Sequence, residues 1–135
     1  MHRVSVRTIS VALTFTAVLN IGAGLAALAA PELHATLMLA PDSVLEGLVL
    51  RYHVIVWGFV VVMGLGYAVA ARNPEEQTAL ILAAGLGKLF AAGAWIEMLV
   101  SGFGAPLMLA GILVDGSLGV LFLVFVLPRL FGNRG

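Results

Sequence analysis

Hydrophobic residues run along this chain in four long stretches, each bounded by short polar or proline-containing segments. A helix needs about 20 consecutive apolar residues to cross the hydrocarbon core of a bilayer. The four stretches meet that length at about residues 8–30, 52–72, 77–100 and 106–127. The pattern predicts an all-α protein, an integral membrane four-helix bundle, in which residues 1–135 form a single four-span domain.

The polar segments between the stretches carry signals that start helices. Asn73 and Pro74 suit the cap and first turn of the third helix, because the cap accepts backbone N–H groups and proline lacks one. Ser43 followed by Glu46 is a capping-box pattern, which predicts a helix start before the second span. The short segment after Ser101 predicts that the third and fourth spans are antiparallel neighbours.

The first stretch also has the order of a secretory signal peptide, since Arg3 and Arg7 precede its apolar residues. It is longer than the apolar core of about 7–15 residues found in such signals, and Asn20 lies at its centre. We therefore expect residues 8–30 to be a retained helix, with a cleaved signal peptide as the alternative.

Composition supports a membrane protein, because 61% of the residues are hydrophobic and only 10% are charged. Soluble domains carry about 25% charged residues. Seven basic residues balance seven acidic ones, so the charge indicates no nucleic-acid partner, and the absence of cysteine excludes disulfides and thiolate chemistry. The expected partner is the lipid bilayer of the cell membrane, which is the inner membrane in a bacterium.

The arginines that flank the predicted spans are unevenly divided between the two membrane sides. Arg51 lies alone on one side, and the remaining flanking arginines share the other: Arg3, Arg7, Arg72, Arg129 and Arg134. Cytoplasmic loops carry the excess of basic residues. We therefore expect both termini to be cytoplasmic.

Three predicted spans carry a polar residue near the same membrane depth: Asn20, Lys88 and Asp115. Because a lysine or aspartate at the bilayer centre costs about 2.5–3.5 kcal/mol on insertion scales, we expect both to face the bundle interior and pair. The pair is interpreted either as structural or as part of a proton, ion or substrate pathway. Small residues that suit close helix packing are Gly24, Gly64, Ala83, Gly87, Ala91, Gly111 and Gly119.

A second group of candidates lies toward the predicted outer ends of the second and third spans: Arg51, His53, Trp57, Trp95 and Glu97. These residues form either an outer mouth, with His53 and Glu97 as a titrating pair, or an interfacial belt, which we favour. A haem held by His34 and His53 is disfavoured, because nothing in the sequence indicates the paired ligands with a supporting shell that it needs. We expect no catalytic residue, no metal and no cofactor.

Several short patterns resemble a known group when taken together. They are Leu19-Asn20-Ile21, Gly64-Leu65-Gly66-Tyr67, Gly85-Leu86-Gly87-Lys88 and Asp115. In this order they resemble a group of uncharacterised small bacterial four-span membrane proteins, with a departure at Val114, where that group has asparagine. The resemblance implies a four-span fold and a recurring Asn20, Lys88 and Asp115 set, and it implies no reaction. The Gly-Leu-Gly-Lys-Leu string gives a looser likeness to DoxX-type proteins.

Three functions follow as expectations. The first is a non-catalytic subunit or scaffold of a membrane assembly, as a homo-oligomer or within a larger complex, because small-residue faces are present and a catalytic set is not. The second is a small transporter or proton/ion-conducting protein that uses Lys88 and Asp115. The third is a lipid- or quinone-directed enzyme with His53 and Glu97 at its outer mouth.

Overall fold

The computed structural model describes residues 4–41 and 46–131. Within those ranges the chain forms helices and no strand. The helices are α1 (Val6–Ala29), α2 (Pro31–Met38), α3 (Gly47–Ala70), α4 (Thr78–Val100) and α5 (Met108–Phe131). All but α2 are long and apolar enough to cross a membrane. The prediction of an all-α multi-pass membrane protein with a four-helix bundle is confirmed.

Local chemistry explains where the first helices begin. The Ser5 hydroxyl accepts a hydrogen bond from the backbone N–H of Thr8 at 3.0 Å, which caps α1. Pro31 is the first residue of α2, where its missing N–H costs no hydrogen bond. α3 begins at Gly47, whose φ of 53° is a conformation that favours glycine. Ser43, the first half of the predicted capping box, lies outside the described residues, and the Glu46 side chain makes no capping bond.

The segment between α3 and α4 differs from the prediction. Asn73 does not cap α4, because the backbone N–H groups of Glu76 and Gln77 bond to the carbonyls of Asn73 and Pro74, at 3.3 Å each. These three-residue steps form a tight turn of their own. α4 therefore starts only at Thr78.

The end of α5 also differs, since the helix continues through Pro128 instead of closing there. Proline removes one backbone donor from a helix. The next residue, Arg129, supports this last turn through its side chain. Its guanidinium donates to the Phe125 carbonyl at 2.7 Å and lies 3.6 Å from the centre of the Phe125 ring.

The helices pack as two pairs, with α1 along α3 and α4 along α5, and contact between the pairs is sparser. The predicted antiparallel neighbours, α4 and α5, are thereby confirmed. The fully buried large side chains lie toward the end where α1 starts and α5 finishes: Ile9, Leu13, Ile81, Phe122, Phe125 and Val126. At the same end, the Ser10 hydroxyl donates to the Ala71 carbonyl at 2.6 Å.

The opposite end of the bundle is held by the segment that follows α2. The Ala40 N–H donates to the Phe103 carbonyl at 2.8 Å, and the Ala105 N–H donates to the Met38 carbonyl at 2.9 Å. These bonds join the α2 segment to the turn between α4 and α5. The turn itself contains Gly102, whose φ is 80°.

Candidate functional site

Lys88 lies on the buried face of α4. Its neighbours one turn before and after it on that face, Ala84 and Ala92, have small side chains. Its ammonium donates to Asp115 Oδ1 on α5 at 2.5 Å and to Asn20 Oδ1 on α1 at 3.1 Å. Lys88 is 9% exposed and Asp115 is 8% exposed. The structure therefore brings the three predicted midplane residues into direct contact.

Lys88 and Asp115 do not lie at equal distances from the ends of their helices. Lys88 is ten residues from Thr78 and twelve from Val100, about 15 Å and 18 Å along the axis. Asp115 is seven residues after Met108, about 10 Å from the start of α5. The flexible lysine side chain covers the difference in depth and reaches its partners.

The contacts of Lys88 cross the boundary between the two helix pairs. Asp115 belongs to the same pair as Lys88, whereas Asn20 lies on the α1–α3 pair. The ammonium and the carboxylate neutralise each other, and the Asn20 carbonyl offers a further acceptor without adding charge. The arrangement can lock the two pairs together, or it can hold an ion or proton at their boundary.

Tyr67 is a fourth polar residue near this cluster, which the sequence interpretation did not include. It lies on α3 and is 4% exposed, in the same buried core as Ala84 of α4 and Leu118 of α5. Each of the four long helices therefore contributes at least one polar side chain to the interior. The sequence does offer one signal for it, because Tyr67 lies one helical turn after Gly64, a predicted packing residue, and therefore shares its face of α3.

The predicted packing residues take different positions. Gly24 faces the Trp57 carbonyl and Val61, Gly64 faces Asn20 and Ile21, Gly111 lies under the Trp95 ring, and Gly119 faces Gly85 and Leu89. Ala83 and Gly87 instead lie on the exposed side of α4, and Ala91 is half-buried. The interior face of α4 is the adjacent row that contains Ala84, Lys88 and Ala92. Helix packing through Ala83 and Gly87 therefore stays a prediction, and it concerns contacts outside this chain.

The predicted outer-mouth cluster is divided. His53 and Trp57 contact His34 of α2, whereas Glu97 accepts a hydrogen bond from Ser101 at 2.7 Å. Arg51 is exposed and Trp95 packs on α5. Over the described ranges no hydrogen bond joins His53 to Glu97, because α3 packs with α1 and α2 while the end of α4 packs with α5. The hypothesis of an enzyme acting through that pair therefore lacks its contact.

The two histidines form a second site at this end. The ring centroids of His34 and His53 are 5.3 Å apart, and the Trp57 ring lies 4.4 Å from His34. His34 Nδ1 and His53 Nε2 are both buried without a hydrogen-bond partner in the part of the chain that the structure describes. Burial, and to a smaller extent the charge of His53, lowers the pKa of His34 and so favours its neutral imidazole.

No group of three or more histidine, cysteine, aspartate or glutamate residues that could share a metal occurs within residues 4–41 and 46–131. No protein-family model, no curated protein and no solved structure matches the chain. The features of the protein that bear on its function are therefore the two polar clusters and the outer surface of the helix bundle.

Proposed function

We propose that the chain is a non-catalytic subunit of a membrane assembly, either a homo-oligomer or a larger complex. The observation that supports this proposal is the exposed face of α4. Ala83 and Gly87 lie one turn apart on that face, and apart from the adjoining residues and backbone of α4 itself, no atom of the described residues lies within 4 Å of the position that a Cβ of Gly87 would take. Small residues at this spacing let another helix approach the backbone closely.

The interior of the bundle agrees with a structural role. The charged groups of Lys88 and Asp115 neutralise each other inside the protein and leave no net charge there. Polar side chains often join helices in membranes, where no hydrophobic force draws helices together.

The proposal predicts that Gly87→Leu weakens assembly about tenfold, equivalent to about 1.4 kcal/mol, because the added side chain separates α4 from its partner helix. Native mass spectrometry of the protein, extracted gently from its own membrane, measures the assembled fraction. The wild-type protein should appear as a homo-oligomer or with other membrane subunits, and the variant should shift toward the single chain.

Gly93→Leu is the matched control for this experiment. Gly93 is also an exposed glycine of α4 with open space at its Cβ position, but it lies on a different side of the helix from Gly87 and has no small residue one turn away. Its variant should assemble as the wild-type protein does. A wild-type protein that is always a single chain, or an equal loss of assembly in both variants, would contradict the proposal.

We propose a proton- or ion-conducting protein as the second candidate, because the Lys88 ammonium lies across the boundary of the two helix pairs. Ionisable residues inside a membrane often mark such pathways. In many transporters the coupling-ion site also lies near the midplane, where two structural halves meet. A small movement of one pair against the other would change the contacts of this ammonium.

The second candidate predicts that the double variant Lys88→Met with Asp115→Leu folds and loses all flux, since apolar groups of similar size remove the charges and keep the packing. Flux is measured in liposomes with an enclosed pH-sensitive or ion-sensitive dye. Wild-type flux that persists in the double variant would exclude this candidate. Under the subunit proposal, the same double variant assembles as the wild-type protein does.

A further inference from the structure

The geometry points to a transition-metal site formed by His34 of α2 and His53 of α3, a site separate from the Lys88 cluster. Both side chains project from helices, so their backbones are fixed by secondary structure. Their ring centroids are 5.3 Å apart and their planes are tilted by 58°. The site lies at the end of the bundle where α1 finishes and α3 begins.

The separation of the rings suits two imidazoles on one metal ion. Zinc–nitrogen bonds are about 2.0–2.1 Å long, which places each ring centroid roughly 3.2 Å from the metal. Two such rings at a tetrahedral angle have centroids roughly 5.2 Å apart. The observed 5.3 Å matches that value.

The nitrogen atoms themselves need a partner. His34 Nδ1 and His53 Nε2 are each buried, and neither has a hydrogen-bond partner among the described residues. A buried polar atom without a partner destabilises the fold, because it has lost its hydrogen bonds to water and gained none. Such atoms call for an explanation, and a bound ion is one that satisfies both imidazoles at once.

The chemistry of the donors selects the metal. Imidazole nitrogen suits zinc, copper, iron and nickel, whereas magnesium and calcium require oxygen ligands. Within residues 4–41 and 46–131 no third histidine, cysteine or carboxylate joins the pair in a metal-binding group. Two protein ligands leave coordination positions open, so water or a further ligand completes the shell, as in metal sites that bind a substrate.

Trp57 provides a direct readout of this site. Its ring centroid is 4.4 Å from that of His34 and 6.2 Å from that of His53. The chain has two tryptophans, and the other, Trp95, lies against Gly111 of α5. The Trp95→Phe variant therefore reports on Trp57 alone.

The test is a titration of the Trp95→Phe protein, purified in detergent with an affinity tag that contains no histidine. Cu²⁺ is the probe, because it quenches nearby tryptophan fluorescence. We expect saturable quenching at one ion per chain, and isothermal titration calorimetry with Zn²⁺ should give the same stoichiometry. His34→Ala or His53→Ala in this background should weaken binding at least about tenfold, since each removes one of the two ligands.

Two further variants separate metal binding from structural damage. His53→Cys, which restores a metal ligand of another kind, should recover the Zn²⁺ binding that His53→Ala loses, measured by calorimetry under a reductant because Zn²⁺ does not oxidise thiols. His2→Ala removes the remaining histidine of the chain and should leave the titration unchanged. Circular dichroism verifies that each variant keeps its helices.

Two outcomes would overturn the site. One is the absence of saturable quenching in the Trp95→Phe protein. The other is quenching that persists unchanged when His34 and His53 are both replaced by alanine. Neither outcome affects assembly through α4, so this experiment tests the metal site independently of the subunit proposal.

Discussion

Replacement of Lys88 by methionine alone should cost about 3–5 kcal/mol of folding free energy, because it leaves the Asp115 carboxylate buried without its cation. Asp115 is only 8% exposed, and its Oδ1 atom lies 2.5 Å from the Lys88 ammonium. Methionine has nearly the length of the lysine stem, so the packing between Ala84 and Ala92 is retained. Unfolding with increasing SDS in mixed micelles, followed by circular dichroism, measures the loss.

The double variant Lys88→Met with Asp115→Leu should recover most of this loss. Replacing both members of a buried ion pair by apolar groups is often neutral or stabilising, whereas removal of one member is not. The two substitutions should therefore be strongly non-additive, as expected for residues in direct contact. A Lys88→Met protein as stable as the wild type, or a double variant less stable than the single one, would contradict this account of the cluster.

The sequence was sufficient to predict the four membrane-crossing helices and the contact between Lys88 and Asp115. Both follow from the free-energy cost of placing unpaired backbone groups and charged side chains in lipid, because few structures avoid that cost. Asn20 joins them because it lies at a compatible depth on α1. The sidedness of the membrane, with both termini cytoplasmic, stays a prediction from the arginines.

The Lys88 row of α4 faces inward as expected, but the sequence did not distinguish it from the adjacent row of small residues by hydrophobic pattern alone. Apolar and small residues occur on every side of this helix, so no single stripe marks the face that is buried. The row with Ala83 and Gly87 and the row with Ala84 and Lys88 differ by one position, a rotation of about 100°. The charge of Lys88 favours the row that contains it, and the close packing of Gly85 against α5 agrees with that orientation.

The approach of His34 to His53 could not be predicted either. His34 lies on a short helix that follows α1, and its depth depends on how the segment after α2 bonds to the turn between α4 and α5. Such long-range backbone contacts leave no periodic pattern in the chain. The continuation of α5 past Pro128 could not be predicted for a similar reason. It depends on a side-chain contact, in which Arg129 donates a hydrogen bond to a backbone carbonyl in the last turn.

Gly119→Ala should destabilise the bundle by about 1–3 kcal/mol, because α4 and α5 meet at a pair of glycines and extra atoms there overpack the contact. A Cβ at Gly119 would lie 3.0 Å from the Gly85 carbonyl oxygen and 2.9 Å from Leu89. The leucine can move, but the backbone oxygen cannot move without separating the helices. The same SDS unfolding titration measures the effect.

Gly116→Ala is the matched control, since it adds the same methyl group one turn earlier on the same helix. Its Cβ would meet only the Ala92 side chain, at 3.9 Å, so the substitution should be neutral or stabilising by up to about 1 kcal/mol through helix propensity. Leu89→Ala combined with Gly119→Ala should restore only part of the loss, because the Gly85 oxygen remains in place. Complete restoration would show that Leu89, and not the backbone contact, sets the distance between α4 and α5.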